Sequence, residues 1–443
     1  MNSDAGSDMF QTLLRNAPRS LLRQALRRFL RQGTLLLRML DGTEELLGPG
    51  GEPQGGMHIL TDDAIRWVLA DPGAAVGELY MDGKVVPIAG DLHAMMEVLT
   101  LNQALAGDPG FGRVMEVLRR PVRRLGQINP AAIARARISR HYDVDFGVYQ
   151  RFLDADLQYS CAYFAEGNET LEAAQVAKKR LIAAKLLLDR PDLEVLDIGC
   201  GWGGMALTLA REYGARVTGI TLSSAQLEVA RARAAEAGLQ DRVRFEMLDY
   251  RAWTRPMDRV VSIGMVEHVG LNHYRRYFRQ IGRILREDGV ALVHGIGRSG
   301  GPGTTNSWLK RHIFPGGYSP ALSEVLPAVE RSGLWVTDIE ILRLHYARTL
   351  AHWRQRFAAH RAEIAALHDE RFCRMFEFYL SGSEFAFRNG GHMVWQMQLA
   401  RRQDAVPLTR DYLAVKGVPG RSRAWQFEDE PTGGERDGGR LLV

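Results

Sequence analysis

The run Leu196-Asp197-Ile198-Gly199-Cys200-Gly201-Trp202-Gly203-Gly204 constrains this chain more than any other segment. An apolar strand ending passes straight into glycines and then into a helical stretch, and glycine lets the backbone approach a ligand more closely than any Cβ would permit. A turn of that kind works at the carboxyl edge of a parallel sheet, so further strands joined by crossover helices must follow. They are legible in the sequence. Val195 to Ile198, Val217 to Thr221, Val243 to Met247, Val260 to Ile263 and Val290 to His294 alternate with helical stretches at 203–213, 223–237 and 274–285. The expectation is an α/β domain.

A glycine turn alone does not choose the ligand. Nicotinamide binding asks for Gly-x-Gly-x-x-Gly and an acidic residue closing the next strand, whereas here the second strand ends Thr221-Leu222-Ser223. Asp197, just before the glycines, resembles instead the acidic residue that methyltransferases keep beside the methionine part of S-adenosylmethionine. Gln226, one turn after Ser223, is placed to hold ribose hydroxyls together with Thr221. Asp249-Tyr250-Arg251 follows the third strand, where methyltransferases of this fold enclose the adenine; the alternative for Asp249 is a helix cap.

At 443 residues with 46% hydrophobic content, the chain is long enough for two domains. The expected division is an amino-terminal domain over 1–125, a catalytic domain over 126–425 and a disordered polar, Gly-rich tail over 426–443. Gly48 to Gly56 reads as a loop, Asp62 to Leu69 and Leu92 to Leu105 as helices, and the first domain as a smaller α+β unit. A basic helical stretch from Arg113 to Arg140, interrupted at Pro121 and Pro130, links the two. Between Met9 and Leu40 no acidic residue occurs, and Arg15, Arg19, Arg23, Arg27 and Arg31 form one helical stripe with Leu22, Leu26, Phe29 and Leu30 beside it. Such a helix either lies on an anionic membrane surface or packs its leucines on its own domain, and the stripe does not decide between them. The three scattered cysteines, Cys161, Cys200 and Cys373, suit neither a disulfide framework nor a metal cluster and imply a reducing cytoplasm. With no signal-like start and no apolar run of ~20 residues, an integral membrane protein is not expected. The net charge of +5 does not demand nucleic acid, and no Asp/Asn-Pro-Pro-Tyr base-holding motif is present.

Several segments together carry a specific resemblance: His141-Tyr142-Asp143, Gln158-Tyr159-Ser160-Cys161-Ala162-Tyr163-Phe164, the glycine turn, Thr221-Leu222-Ser223, and Ser262-Ile263-Gly264-Met265-Val266-Glu267-His268-Val269-Gly270. His294-Gly295-Ile296-Gly297, Ile313-Phe314-Pro315-Gly316-Gly317 and His345-Tyr346-Ala347-Arg348-Thr349-Leu350 continue it. Over about residues 60–415 the chain resembles cyclopropane fatty acid synthases and mycolic acid methyltransferases. The resemblance implies a class I S-adenosylmethionine methyltransferase domain, Rossmann-like, behind a smaller α+β domain. It implies cofactor contacts from Tyr159, Ser160, Asp197, Gly199, Gly201, Gly203, Thr221, Leu222, Ser223, Gln226, Tyr250 and Arg251. It further implies Cys161, Glu267, His294 and Tyr346 as catalytic residues that hold a bicarbonate ion together with the backbone at Ile296. Tyr159 and Phe164 are candidates for stabilising a cation on the substrate. Singly, Cys161 reads as a small buried hydrophobe, Glu267 as a helix-start carboxylate and His294 as a core histidine. Their joint order is what resembles the family.

The implied activity is methylene transfer to the cis double bond of unsaturated phospholipid acyl chains. The alternatives are a methyl- or methylene-branched product and a non-catalytic lipid-binding relative. A homodimer peripherally associated with the inner membrane face is implied as well. In one place the chain departs from the family: Ser383 stands where many members carry a cysteine, and without a dedicated base it is not counted as catalytic.

Overall fold

The computed structural model describes residues 4–105 and 145–413, with side chains from Ala17 onward in the first helix. The expected link at 113–140, the boundary at 125, His141-Tyr142-Asp143, the tail from 426 and the Arg15 side chain lie outside the described residues.

Eleven strands fall into two sheets among the described residues. The larger comprises β5 (Glu194–Ile198), β6 (Arg216–Thr221), β7 (Val243–Met247), β8 (Met257–Ile263), β9 (Leu285–Arg298), β10 (Trp335–Ile341) and β11 (His392–Ala400). Its order is β10-β11-β9-β8-β5-β6-β7, and the five strands from β9 to β7 are parallel. Both faces are covered, which is why these strands read as near-continuous apolar runs. Val195, Val217, Val243, Val261 and Leu292 pack to one side, and Leu196, Ile198, Ile220, Val260 and Val293 to the other. The expected strands and the helices α7 (Gly204–Tyr213), α8 (Ser224–Glu236) and α10 (Tyr274–Ile284) are all present. α9 (Val266–Val269) is a single turn between β8 and α10. The strand order reverses at β5, and the crevice beyond its carboxyl end is where open sheets of this kind bind ligands.

The antiparallel pair β10 and β11 closes the β9 edge. Between these strands come α13 (His345–Ala359), α14 (Arg361–Leu367) and α15 (Glu370–Arg388). With α5 (Phe146–Phe152) and α6 (Leu171–Lys185) they form an aromatic layer that includes Tyr149, Phe152, Tyr346, Trp353, Phe376 and Tyr379.

The smaller sheet has the order β2-β1-β3-β4, from β1 (Leu35–Arg38), β2 (Glu44–Leu47), β3 (Gly55–Ile59) and β4 (Val85–Ile88). Helices α1 (Asp4–Phe29), α2 (Asp62–Ala70), α3 (Pro72–Met81) and α4 (Leu92–Leu105) accompany it. Gly55 and Gly56 belong to β3 rather than to the expected loop. A Cβ at Gly55 would sit 2.8 Å from the α4 backbone at Ala94, so the glycine here serves close packing. The arginine stripe is resolved in favour of its own domain: Leu22, Leu26 and Leu30 are buried in this core. Arg19 bonds Asp41 and Asp62, while Arg23 and Arg27 pair with Glu45. The aliphatic face is therefore not free to enter a membrane.

The two units share a seam. Phe385 of α15 is fully buried in the amino-terminal core, and Met81 of α3 lies in the aromatic layer's core. Buried Glu78 receives Arg311 at 2.6 Å and His312 at 2.8 Å from α11 (Ser307–His312), and Arg371 at 3.3 Å.

Candidate active site

The turn after β5 takes positive φ at Gly199 (79°), Gly201 (54°) and Gly203 (84°). At Gly203 a Cβ would meet Phe245 at 2.6 Å, so protein packing requires that glycine. At Gly201 a Cβ would meet nothing within 4 Å, so the space there is open to a ligand. Arg233 of α8 anchors the turn by donating to the Trp202 carbonyl at 2.7 Å. Asp197 beneath it is buried, its Oδ2 has no partner, and burial lifts its carboxyl to about 7 against the opposing pull of Lys178.

At the second strand end, the two side chains expected to hold ribose hydroxyls bond each other. The Thr221 hydroxyl donates to Gln226 Oε1 at 2.9 Å, and Ser223 caps α8 through the Gln226 N–H. With its oxygen engaged, Gln226 offers its amide NH2 end to a ligand. Leu222 between them is half-buried. At the third strand end Asp249 does cap the short turn Tyr250–Ala252, and it also clamps Arg251 through two guanidinium nitrogens at 2.8 and 2.5 Å. Tyr250 is buried edge-on to Tyr277, at 5.3 Å between ring centres.

Glu267 lies on α9, at the end of β8. Its Oε1 accepts the Ile296 N–H at 2.5 Å, whereas its Oε2 is buried without a partner. Burial raises this carboxyl from 4.5 to about 7, the Ile296 bond opposing the rise. The backbone N–H expected to face an anion is therefore already engaged by Glu267. His294, two residues earlier on the same face of β9, is buried and pushed down to about 3 by burial, with Lys178 and Lys185 adding to it. It is a neutral imidazole. Cys161 is likewise buried, its thiol pushed up by burial, and its Sγ donates to the Ala162 carbonyl at 3.3 Å.

Tyr346 packs edge-on against Trp353 and Phe387 at 5.8 and 4.7 Å. Tyr159 stacks on Trp353 at 5.1 Å and shares a 2.8 Å hydrogen bond with the Tyr379 hydroxyl. Phe164 stacks on His352 at 5.5 Å and is buried in the same layer. Cys161 and Tyr346 belong to this aromatic cluster, and Ile296 packs against it. Ser383 is half-buried on α15, and Cys373 lies ten residues earlier on that helix.

Lys178 ties the two halves of the site together. It is buried on α6, donates to Gln158 Oε1 at 2.6 Å and to Ser160 Oγ at 2.9 Å, and its charge reaches Cys161, Asp197 and His294. Burial lowers its ammonium to about 8, with Asp154 opposing. The motifs pointed to Ser160 but not to the lysine that holds it. A signal existed: 174, 178, 181 and 185 form the buried stripe of α6, and two of those positions are lysine.

The reversed strand order, the antiparallel edge, the open glycine turn and the unpartnered Asp197 oxygen fit S-adenosylmethionine and define a class I S-adenosylmethionine-dependent methyltransferase. The family model for mycolic acid cyclopropane synthetase matches residues 131–397, more than half of the chain. The chain belongs to that family, and the enzyme is a methyltransferase of the cyclopropane synthase type. A "Probable fatty acid methyltransferase" of Pseudomonas putida is 38% identical over 80% of this chain and 89% of its own length. The cyclopropane-fatty-acyl-phospholipid synthase of Escherichia coli (strain K12) is 34% identical over 79% and 89%. Among solved structures, the cyclopropane synthase MmaA2 from Mycobacterium tuberculosis is 32% identical, with a TM-score of 0.57 over 62% of this chain and 99% of its own. The mycolic acid cyclopropane synthase CmaA1, solved in complex with SAH and CTAB, has the same TM-score and identity over 61% and 99%.

Proposed function

We propose that this enzyme transfers a methylene unit to the cis double bond of unsaturated phospholipid acyl chains, with bicarbonate as the base that permits ring closure. The observation that carries the reading is Glu267: one carboxylate oxygen is held by Ile296, and the other is buried, unpaired and aimed at no protein donor. Such an oxygen is costly to bury unless a ligand donor meets it. The surroundings suit a small oxyanion that carries its own O–H, since His294 is neutral and Cys161 is a thiol. When bound, S-adenosylmethionine supplies an electrophilic methyl group and bicarbonate supplies a base small enough for an apolar chamber.

The chain's own residues bind and orient. Glu267 Oε2 would accept a hydrogen bond from the anion's O–H, and His294 and the Tyr346 hydroxyl would donate to its other oxygens, joined by the Cys161 thiol once it turns away from the Ala162 carbonyl. The glycine turn, Asp197, Ser160 and Gln226 hold the cofactor, with Tyr250 and Arg251 at the adenine side. Tyr159, Trp353, Tyr346 and Phe387 exclude water and present ring faces to positive charge left on the acyl chain. No helix among the described residues is long and apolar enough to cross a membrane. In this reading the enzyme works as a homodimer that meets lipid at the membrane surface.

The Pseudomonas putida relative favours a second reading on the same residues, in which a different proton is lost and the product is a methyl- or methylene-branched chain. Mass spectrometry of monounsaturated phospholipid vesicles after incubation with enzyme and cofactor separates the two. A gain of one CH2 whose fragmentation locates a ring supports the proposal. A branched product replaces it with the second reading, and no mass gain overturns both.

A further inference from the structure

We infer that Glu340, Lys185 and Gln396 form a positioning chain that locks His294 in the tautomer carrying its proton on Nε2. The inference rests on the proposed role of His294 as a donor to a bound oxyanion. Gln396 lies in the middle of β11 and pairs across the ladder with His294. Lys185, Gln396 and His294 are all buried, at 0%, 1% and 2% exposure. A central strand position among Val394, Trp395 and Met397 would pack well with a methionine, and three buried polar side chains in a row are costly without a task.

Their connections are directional. The Lys185 ammonium donates to Gln396 Oε1 at 2.7 Å and also pairs with Glu340, whose carboxylate opposes the lowering that burial imposes on it. An ammonium can only donate, so the oxygen of the Gln396 amide must face it and the NH2 must face the other way. That NH2 meets His294 Nδ1 at 3.2 Å. The Nδ1 atom must then accept through its lone pair, because an N–H there would oppose the amide N–H. A neutral imidazole with a bare Nδ1 carries its proton on Nε2, and an imidazolium is excluded by the same opposition. Three residues on α6, β10 and β11 thus decide which end of His294 donates, much as partners behind a metal-bound histidine fix its tautomer.

The test reads the tautomer directly, on enzyme without substrate. Protein labelled with 15N-histidine is observed by long-range 1H–15N NMR at neutral pH, with His294 identified by the signals lost in His294→Asn. Wild type is expected to show a pyrrole-type Nε2 and a pyridine-type Nδ1. In Gln396→Glu the carboxylate accepts from both Lys185 and His294, so the proton moves to Nδ1, and turnover falls on the order of 10²-fold with cofactor affinity unchanged. Lys185→Met, which frees the amide to rotate, gives a mixture of tautomers and serves if the first variant folds poorly. A protonated Nδ1 in wild type, or an unchanged tautomer in either variant, overturns the chain. An inverted tautomer with undiminished turnover overturns its positioning role. Wild-type activity insensitive to bicarbonate would instead remove the proposed base and leave the tautomer result standing.

Discussion

Replacing Glu267 with Gln separates the chemistry of this site from its stability. The carbonyl oxygen of Gln keeps the Ile296 bond, but its NH2 stands where Oε2 now waits for a donor. Losing one well-aimed polar group at a reacting centre costs on the order of 10²–10³ in rate. The cofactor residues are elsewhere, so calorimetry should find S-adenosylmethionine affinity unchanged. Stability moves the opposite way. A carboxyl raised from 4.5 to about 7 favours folding most when protonated, so its contribution is fully present below the unfolded value and is lost as pH rises through 7. That loss amounts to about 3 kcal/mol at alkaline pH, and a neutral amide avoids it. Denaturant unfolding should therefore find Glu267→Gln more stable than wild type at about pH 8, with the advantage vanishing near pH 4. In the wild type, activity should rise with pH through about 7 as the carboxylate forms, and the variant should lack that limb. Full activity of the variant in carbonate-depleted buffer would refute the bicarbonate-base assignment. Equal stability at both pH values would refute the reasoning from burial.

Gly201→Val should leave the fold intact, at a backbone cost of about 1–3 kcal/mol, while abolishing S-adenosylmethionine binding by calorimetry. Unchanged affinity in a folded variant would contradict the assignment of the open space beside that glycine. Reversing Arg19, Arg23 and Arg27 to Glu removes the pairs with Asp41, Asp62 and Glu45 and adds repulsion, so it should destabilise the amino-terminal unit by about 1 kcal/mol per reversed cation. Thermal unfolding at low and high salt checks this, and an unchanged unfolding temperature with lost vesicle binding would restore the membrane role of that helix. Phe385→Ala opens a cavity at the seam between the two sheets and should cost about 3–5 kcal/mol, read by denaturant unfolding. A loss below 1 kcal/mol would mean that the seam contributes little, since core cavities of this kind cost several times more.

What the chain reveals without its fold is local. A strand, its glycine turn and the following helix occupy one short stretch, so the order β5 to β9 and the cofactor edge could be read from apolar periodicity and glycine spacing. Cys161, Glu267, His294 and Tyr346 stand beside those strand ends or inside recognisable segments, which is what marked them as candidates. The arginine stripe was visible, but its meaning was not, because the acidic partners at 41, 45 and 62 come from strands and loops folded back on it. β10 and β11 were invisible for a related reason: β10 is partly exposed, and β11 carries Gln396 and Gln398, which break an apolar run unless Lys185 and His294 are known to lie behind them. The chemistry depends on such distant contacts. The Glu267 carboxyl is engaged by an amide 29 residues away, and His294 is oriented by a side chain 102 residues away. Sequence supplies the functional groups, but their protonation and tautomer follow from burial, and burial exists only once the remote segments have packed around them.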